Sequence, residues 1–196
     1  MKTGMAARTA LFAFVVLTVV TAGIAGAGSN SSKKPVAPQA TASPVSLAAV
    51  PTTSDVKVEL DVAAAEPRQV EETTAKAIIR DYGNAWSVLA RALSDNRSDI
   101  LGGAFVGAAQ DKLAARVNGQ RSAGLRIRTI DRGHRLEAIF YSPEGSAMQL
   151  RDTAKLEIQL LDGETVLSTQ QVTASYVALM TVAEDRWKVR LLQQAP

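Results

Sequence analysis

The sequence predicts an α+β domain, in which two helical blocks precede a meander of long antiparallel strands, carried behind an N-terminal membrane segment. Three observations predict it. The hydrophobic period is helical as far as Val117 and becomes two after Gly124. Residues 10–27 (ALFAFVVLTVVTAGIAGA) form an almost wholly apolar run, inside a stretch from Thr9 to Ser32 with no charged residue. Between the run and the periodic part, Pro35, Pro38, Pro44 and Pro51 supply four of the chain's seven prolines among Ser, Ala and Thr.

Eighteen helical residues reach roughly 27 Å, at the short end of what crosses a bilayer core. Lys2 and Arg8 precede the run and Lys33 and Lys34 follow it, which favours a cytoplasmic N-terminus. Residues 1–9 are therefore read as a cytoplasmic N-terminus and residues 10–27 as a transmembrane signal-anchor. A cleaved export signal is the open alternative, since Ala25-Gly26-Ala27 satisfies the small-x-small cleavage rule. Both readings place the remainder outside the cytoplasm, and the anchor reading makes this a single-pass inner-membrane protein with a periplasmic C-terminal domain.

Residues 28–68 are read as a Pro/Ala/Ser-rich linker, too poor in apolar surface to offset its ordering entropy. Within it, residues 56–62 (VKVELDV) alternate and suggest a short strand or ordered arm. Residues 69–196 are read as the folded domain. Pro67 sits just ahead of a stripe of Val70, Ile78, Tyr82, Trp86, Leu89 and Leu93, one face of a helix with Glu71 and Glu72 in its first turns. Ser94-Asp95-Asn96 stops it. A second block holds Ile100, Leu101, Phe105, Val106, Ala109, Leu113 and Val117, broken by Gly102-Gly103.

Leu125, Ile127 and Thr129 then alternate with Arg126 and Arg128, and Asp131-Arg132-Gly133-His134 reads as a turn before a second strand at residues 136–141. Met148, Leu150, Ala154, Leu156, Ile158 and Leu160 mark a long strand whose apolar side is interrupted by Asp152. Asp162-Gly163 is a hairpin signal. Val172 to Val182 and Trp187 to Leu191 supply the last two strands. Helices before strands is an α+β order, and the helical stripe must cover the sheet's apolar face.

The chemistry is limited by composition. There is no cysteine and one histidine, which excludes disulfides, thiolate sites and multi-His metal centres. The chain holds 22 basic and 19 acidic residues, and the excess lies before residue 56, so the folded part lacks the basic surplus of a polyanion-binding domain. Asp152 falls on the apolar face of its strand, where a carboxylate has a raised pKa suited to acid/base work unless it is paired with Arg or a backbone amide. Tyr82, Trp86, Asp152 and Tyr176 are the cavity candidates, although their spacing fits ordinary core equally well. His134 is expected at a solvated rim. Arg126, Arg128, Arg132 and Arg135 form a basic stripe that suits an acidic partner. No residue is assigned a catalytic role, and no metal or cofactor is required.

The element order resembles the cystatin-like cone of the nuclear transport factor 2 superfamily, over residues 69–193. The likeness rests on residues 75–86 (AKAIIRDYGNAW), 105–108 (FVGA), 150–154 (LRDTA) and 185–189 (DRWKV). It is similar to membrane-tethered extracytoplasmic members, namely the C-terminal domain of plastid-division scaffolds and the assembly factors of type IV secretion. The resemblance implies a non-enzymatic docking module. The same superfamily contains dehydratases, isomerases and cyclases, so an exported lyase, isomerase or small-molecule binder built around Asp152 is the alternative. The expected partners are the membrane and an envelope protein, with a homodimer left open and nucleic acid not expected.

Overall fold

A curved five-stranded sheet closes around one long helix in the computed structural model, which describes residues 56–195. The helix α1 (Glu72–Ser94) presents the predicted stripe, with Ile78, Tyr82, Trp86, Leu89 and Leu93 buried. Fully burying each such side chain stabilises the fold by about 1.5–3 kcal/mol. Glu72 lies in the first turn, where the helix dipole favours an acid, and Arg91 in the last. The helix ends at Asp95, and Asn96 turns the chain with φ 55°.

The second helical block divides where Gly102-Gly103 predicted. A 3-10 turn, Ser98–Gly103, leads into α2 (Gly107–Ser122). Between them, residues 104–106 run alongside the last strand. Val106 N–H donates to the Val189 carbonyl and Val189 N–H to the Ala104 carbonyl, each at 3.0 Å.

The strands are β1 (Val58–Asp61), β2 (Leu125–Tyr141), β3 (Ala147–Asp162), β4 (Thr165–Ala183) and β5 (Arg186–Gln194), in that spatial order. Three expectations change. The domain begins before residue 69, because residues 58–61, inside the linker range, form β1, the short strand that the alternation at 56–62 suggests. It pairs with β2 from Val58↔His134 to Asp61↔Glu137. That pairing is parallel, so the sheet is antiparallel only from β2 to β5. Finally, residues 131–134 are not a turn. β2 runs straight through them and absorbs the irregularity as two bulges, at Asp131/Gly133 and Ala138/Phe140.

Those bulges explain why the period-two pattern looked broken. Ile127, Thr129 and Asp131 face the helix, but after one extra residue His134, Leu136 and Ala138 do so, and after a second, Tyr141. Gly133 carries the first bulge at φ 128°, and a Cβ there would stand 3.3 Å from the Lys57 carbonyl oxygen. Only glycine meets both conditions without strain.

Among the described residues, no helix is long and apolar enough to cross a membrane. The expected span at residues 10–27 and most of the linker lie outside the described residues.

Candidate functional site

In a regular strand, residues three apart face opposite sides of the sheet. The bulge at Arg132 cancels this and turns Asp131 and His134 to the same interior side. His134 Nε2 then lies 2.8 Å from Asp131 Oδ2. From β3, where it stands opposite Leu136, Asp152 Oδ2 lies 2.8 Å from His134 Nδ1 and accepts a further 2.8 Å hydrogen bond from the Tyr82 hydroxyl on α1. Asp131, His134, Asp152 and Tyr82 thus form one hydrogen-bonded chain from β2 through β3 to α1. Asp152 Oδ1 has no hydrogen-bond partner among the described residues.

An imidazole held between two carboxylates donates from both nitrogens, so the arrangement selects the imidazolium. Burial by itself lowers the His134 pKa. The hydrogen bonds to Asp131 and Asp152 and their negative charge outweigh it, and the value is raised to about 9. The surrounding aromatics favour the same state. The Trp86 ring is tilted 38° to the imidazole with centroids 4.6 Å apart, within cation–π range. Tyr82 meets it edge-on at 5.7 Å. Burial, and then the charge of Asp152, push the Tyr82 phenol well above its ordinary pKa, so it stays a donor.

A cavity of about 200 Å³ opens between α1, α2 and the concave face of the sheet. Trp86, Tyr176, Asp131, Arg116 and Leu156 are among its lining residues. Tyr176 packs edge-on against Trp86 at 5.3 Å. The volume falls short of the roughly 300–1,000 Å³ of small-molecule sites. Of the four cavity candidates, Trp86 and Tyr176 line it, whereas Tyr82 and Asp152 do not. They lie with His134 in the core, and the side chains of both His134 and Asp152 are 0 % exposed. Asp152 is paired as expected of a buried acid, but to His134 and Tyr82, with neither an arginine nor a backbone amide.

His134 is the main correction. It was expected at a solvated rim and is buried, because the residues taken for a turn are strand. Asp131, the acid that does face the cavity, was missed for the same reason. The available signal was Gly133, since a glycine inside an alternating segment marks a bulge. A second buried acid, Asp81, accepts from the Trp187 amide at 3.0 Å and pairs with Arg80 at 2.8 Å, fastening α1 to the start of β5.

The basic stripe is only partly a stripe. Arg126, Arg128 and Arg135 lie on the outer face of β2, while Arg132 is the bulge residue, with no partner position on β3. Arg132 is engaged by Glu157 at 2.8 Å and Arg126 by the Gly163 carbonyl. Among the described residues, no group of three or more acidic or His side chains is arranged to hold a metal.

This cone, a sheet curled about a helix, is the cystatin-like fold of NTF2-like proteins. The chain is similar to the intermembrane-space region of the chloroplast protein ARC6, at 17% identity and TM-score 0.55, covering 65% of this chain and 98% of that one. A Novosphingobium aromaticivorans protein provisionally named a scytalone dehydratase aligns at 10% identity and TM-score 0.45, over 64% of this chain and 89% of that one. A Streptomyces avermitilis NTF2-like protein, provisionally named a dehydratase, aligns at 10% identity and TM-score 0.40, over 62% and 97%. The chain matches no family model and no curated protein.

Proposed function

We propose that the protein is a membrane-anchored, extracytoplasmic interaction module whose cone presents binding surfaces and performs no reaction. The observation that carries this reading is the burial of His134 and Asp152. A general acid or base must reach its substrate proton within about 2.6–3.2 Å, directly or through one water. Here both imidazole nitrogens are occupied by carboxylates, and neither His134 nor Asp152 borders the cavity. The pair serves to lock β2, β3 and α1 together. The apolar run at residues 10–27 supports the anchor, the proline-rich stretch after it supports a spacer, and the similarity to an intermembrane-space region accords with a domain beyond the cytoplasm.

Native membranes test the placement. A full-length chain resistant to carbonate extraction supports the anchored module. A soluble chain lacking about the first 27 residues, as the small-x-small rule would give, contradicts it.

One observation favours a second reading, an exported lyase- or isomerase-type enzyme. Asp131 faces the cavity and is hydrogen-bonded to His134, so the acid of such an enzyme is Asp131, with Asp152 behind the imidazole as a positioning residue. Turnover lost in Asp131→Asn with unchanged folding would establish that reading.

A further inference from the structure

Sheet edges are templates for another chain unless they are short, charged, bulged or covered. Among the described residues, three of the four open edges are protected in one of these ways. β1 has four residues, two of them Glu59 and Asp61. The free stretch of β2 before β1 begins carries Arg126, Arg128 and Arg132 and the bulge. The outer edge of β5 is bridged at Val189 by residues 104–106, and the strand carries Arg186, Lys188 and Arg190.

The distal half of β4 differs. β5 covers β4 only from Tyr176 onward, with one last bond from Ala195 N–H to the Ser175 carbonyl at 2.9 Å. Past a bulge at Leu167, residues 168–174 (STQQVTA) form a regular strand paired to β3 on one side only, among the described residues. These seven residues contain no charge, no proline and no glycine. At about 3.4 Å per residue the free edge is roughly 24 Å long, longer than the average strand of about 5–6 residues. Thr169, Gln171 and Thr173 are exposed on one face of it.

We propose that this edge pairs antiparallel with the same edge of a second copy, on a two-fold axis at Gln171, so that β1 to β4 of the two cones run as one eight-stranded sheet across the axis, with each β5 beside the paired segment on the remaining half of β4. The segment is complementary to itself in that register. Thr169 faces Thr173 twice, Gln171 faces Gln171, and Ser168 faces Ala174. Thr–Thr pairs are favourable cross-strand neighbours, and no like charges meet. A C2 interface requires such self-complementarity, whereas an unrelated peptide would require specificity pockets that an uncharged, flat edge does not offer. The inference does not depend on the anchor.

The chain's lack of cysteine makes the test direct. Single cysteines at each of residues 168–174 of the full chain, mildly oxidised, should give covalent dimers most at Gln171→Cys, at least tenfold above Lys76→Cys and Asp111→Cys on the helices. Directly opposed Cα atoms in an antiparallel ladder lie about 4.5–5.5 Å apart, within disulfide reach. Thr169→Lys with Thr173→Lys sets like charges opposite each other and should raise the dimer dissociation constant at least tenfold in sedimentation, with an unchanged circular dichroism spectrum. Thr169→Lys with Thr173→Glu should restore the dimer. The proposal is overturned by a monomeric wild-type chain, by dimers that crosslink equally at the helix controls, or by a dimer indifferent to the two lysines. A monomer whose edge amides resist hydrogen exchange would also overturn it, because a different strand would then occupy the edge.

Discussion

The ionisation of His134 makes a quantitative prediction. Its pKa stands at about 9 in the folded chain against 6.5 for the free side chain. At about 1.4 kcal/mol per pH unit, the step corresponds to about 3 kcal/mol of stability. Because the folded value is the higher one, that contribution is fully present below pH 6.5, declines as pH rises, and is lost above about 9. It is a large share of the 5–15 kcal/mol typical of a domain. Since the chain has one histidine, a single imidazole Cε1–H signal reports the titration by NMR without assignment. The wild-type midpoint should lie near 9. Asp131→Asn should lower it, because one of the two carboxylates that hold the imidazolium is gone. Urea denaturation of the wild type should lose stability between pH 6.5 and 9, with a smaller loss in Asp131→Asn. A wild-type midpoint at or below 6.5 would refute the two-carboxylate account of the core.

Other perturbations follow from the same contacts. Tyr82→Phe removes the hydroxyl that donates to Asp152 and should cost about 1.5–3 kcal/mol in chemical denaturation, as for a hydrogen bond to a charged group. Gly133→Ala should destabilise by about 1–3 kcal/mol and shift the His134 signal, since it strains the bulge that turns the imidazole inward. Asp81→Ala leaves the Trp187 amide unsatisfied and should lower stability by about 1–3 kcal/mol, with the first loss of hydrogen-exchange protection in β5.

The helices and the order of strands were legible because they rest on periodicity. The Ile78/Tyr82/Trp86/Leu89 stripe is read off one helical face, and Asp152 stands out as the polar residue in an apolar alternation. The site was less legible because it depends on a bulge. One extra residue at Arg132 inverts the pattern of β2, so Asp131 and His134 read as a solvated turn although they are interior partners. The pairing of Asp152 with residues 18 and 70 positions away follows from sheet register and helix docking, which local pattern does not encode. β1 is legible as the alternation at residues 56–62, but its parallel pairing with β2 is not. Four residues of alternation mark a strand but carry no information on which neighbour it joins or in which direction.

The central claim is that the protein acts through its outer surfaces and not through its interior acids. The most direct measurement compares two full-length variants in native membranes by photo-crosslinking to neighbouring proteins. Asp131→Asn alters the one acid of the buried chain that faces the cavity, and Arg126→Glu with Arg128→Glu reverses charge on the outer face of β2. The account predicts that the first keeps the wild-type crosslinked species and the second loses them with unchanged folding. Crosslinks that disappear in Asp131→Asn but survive the arginine reversal would contradict it.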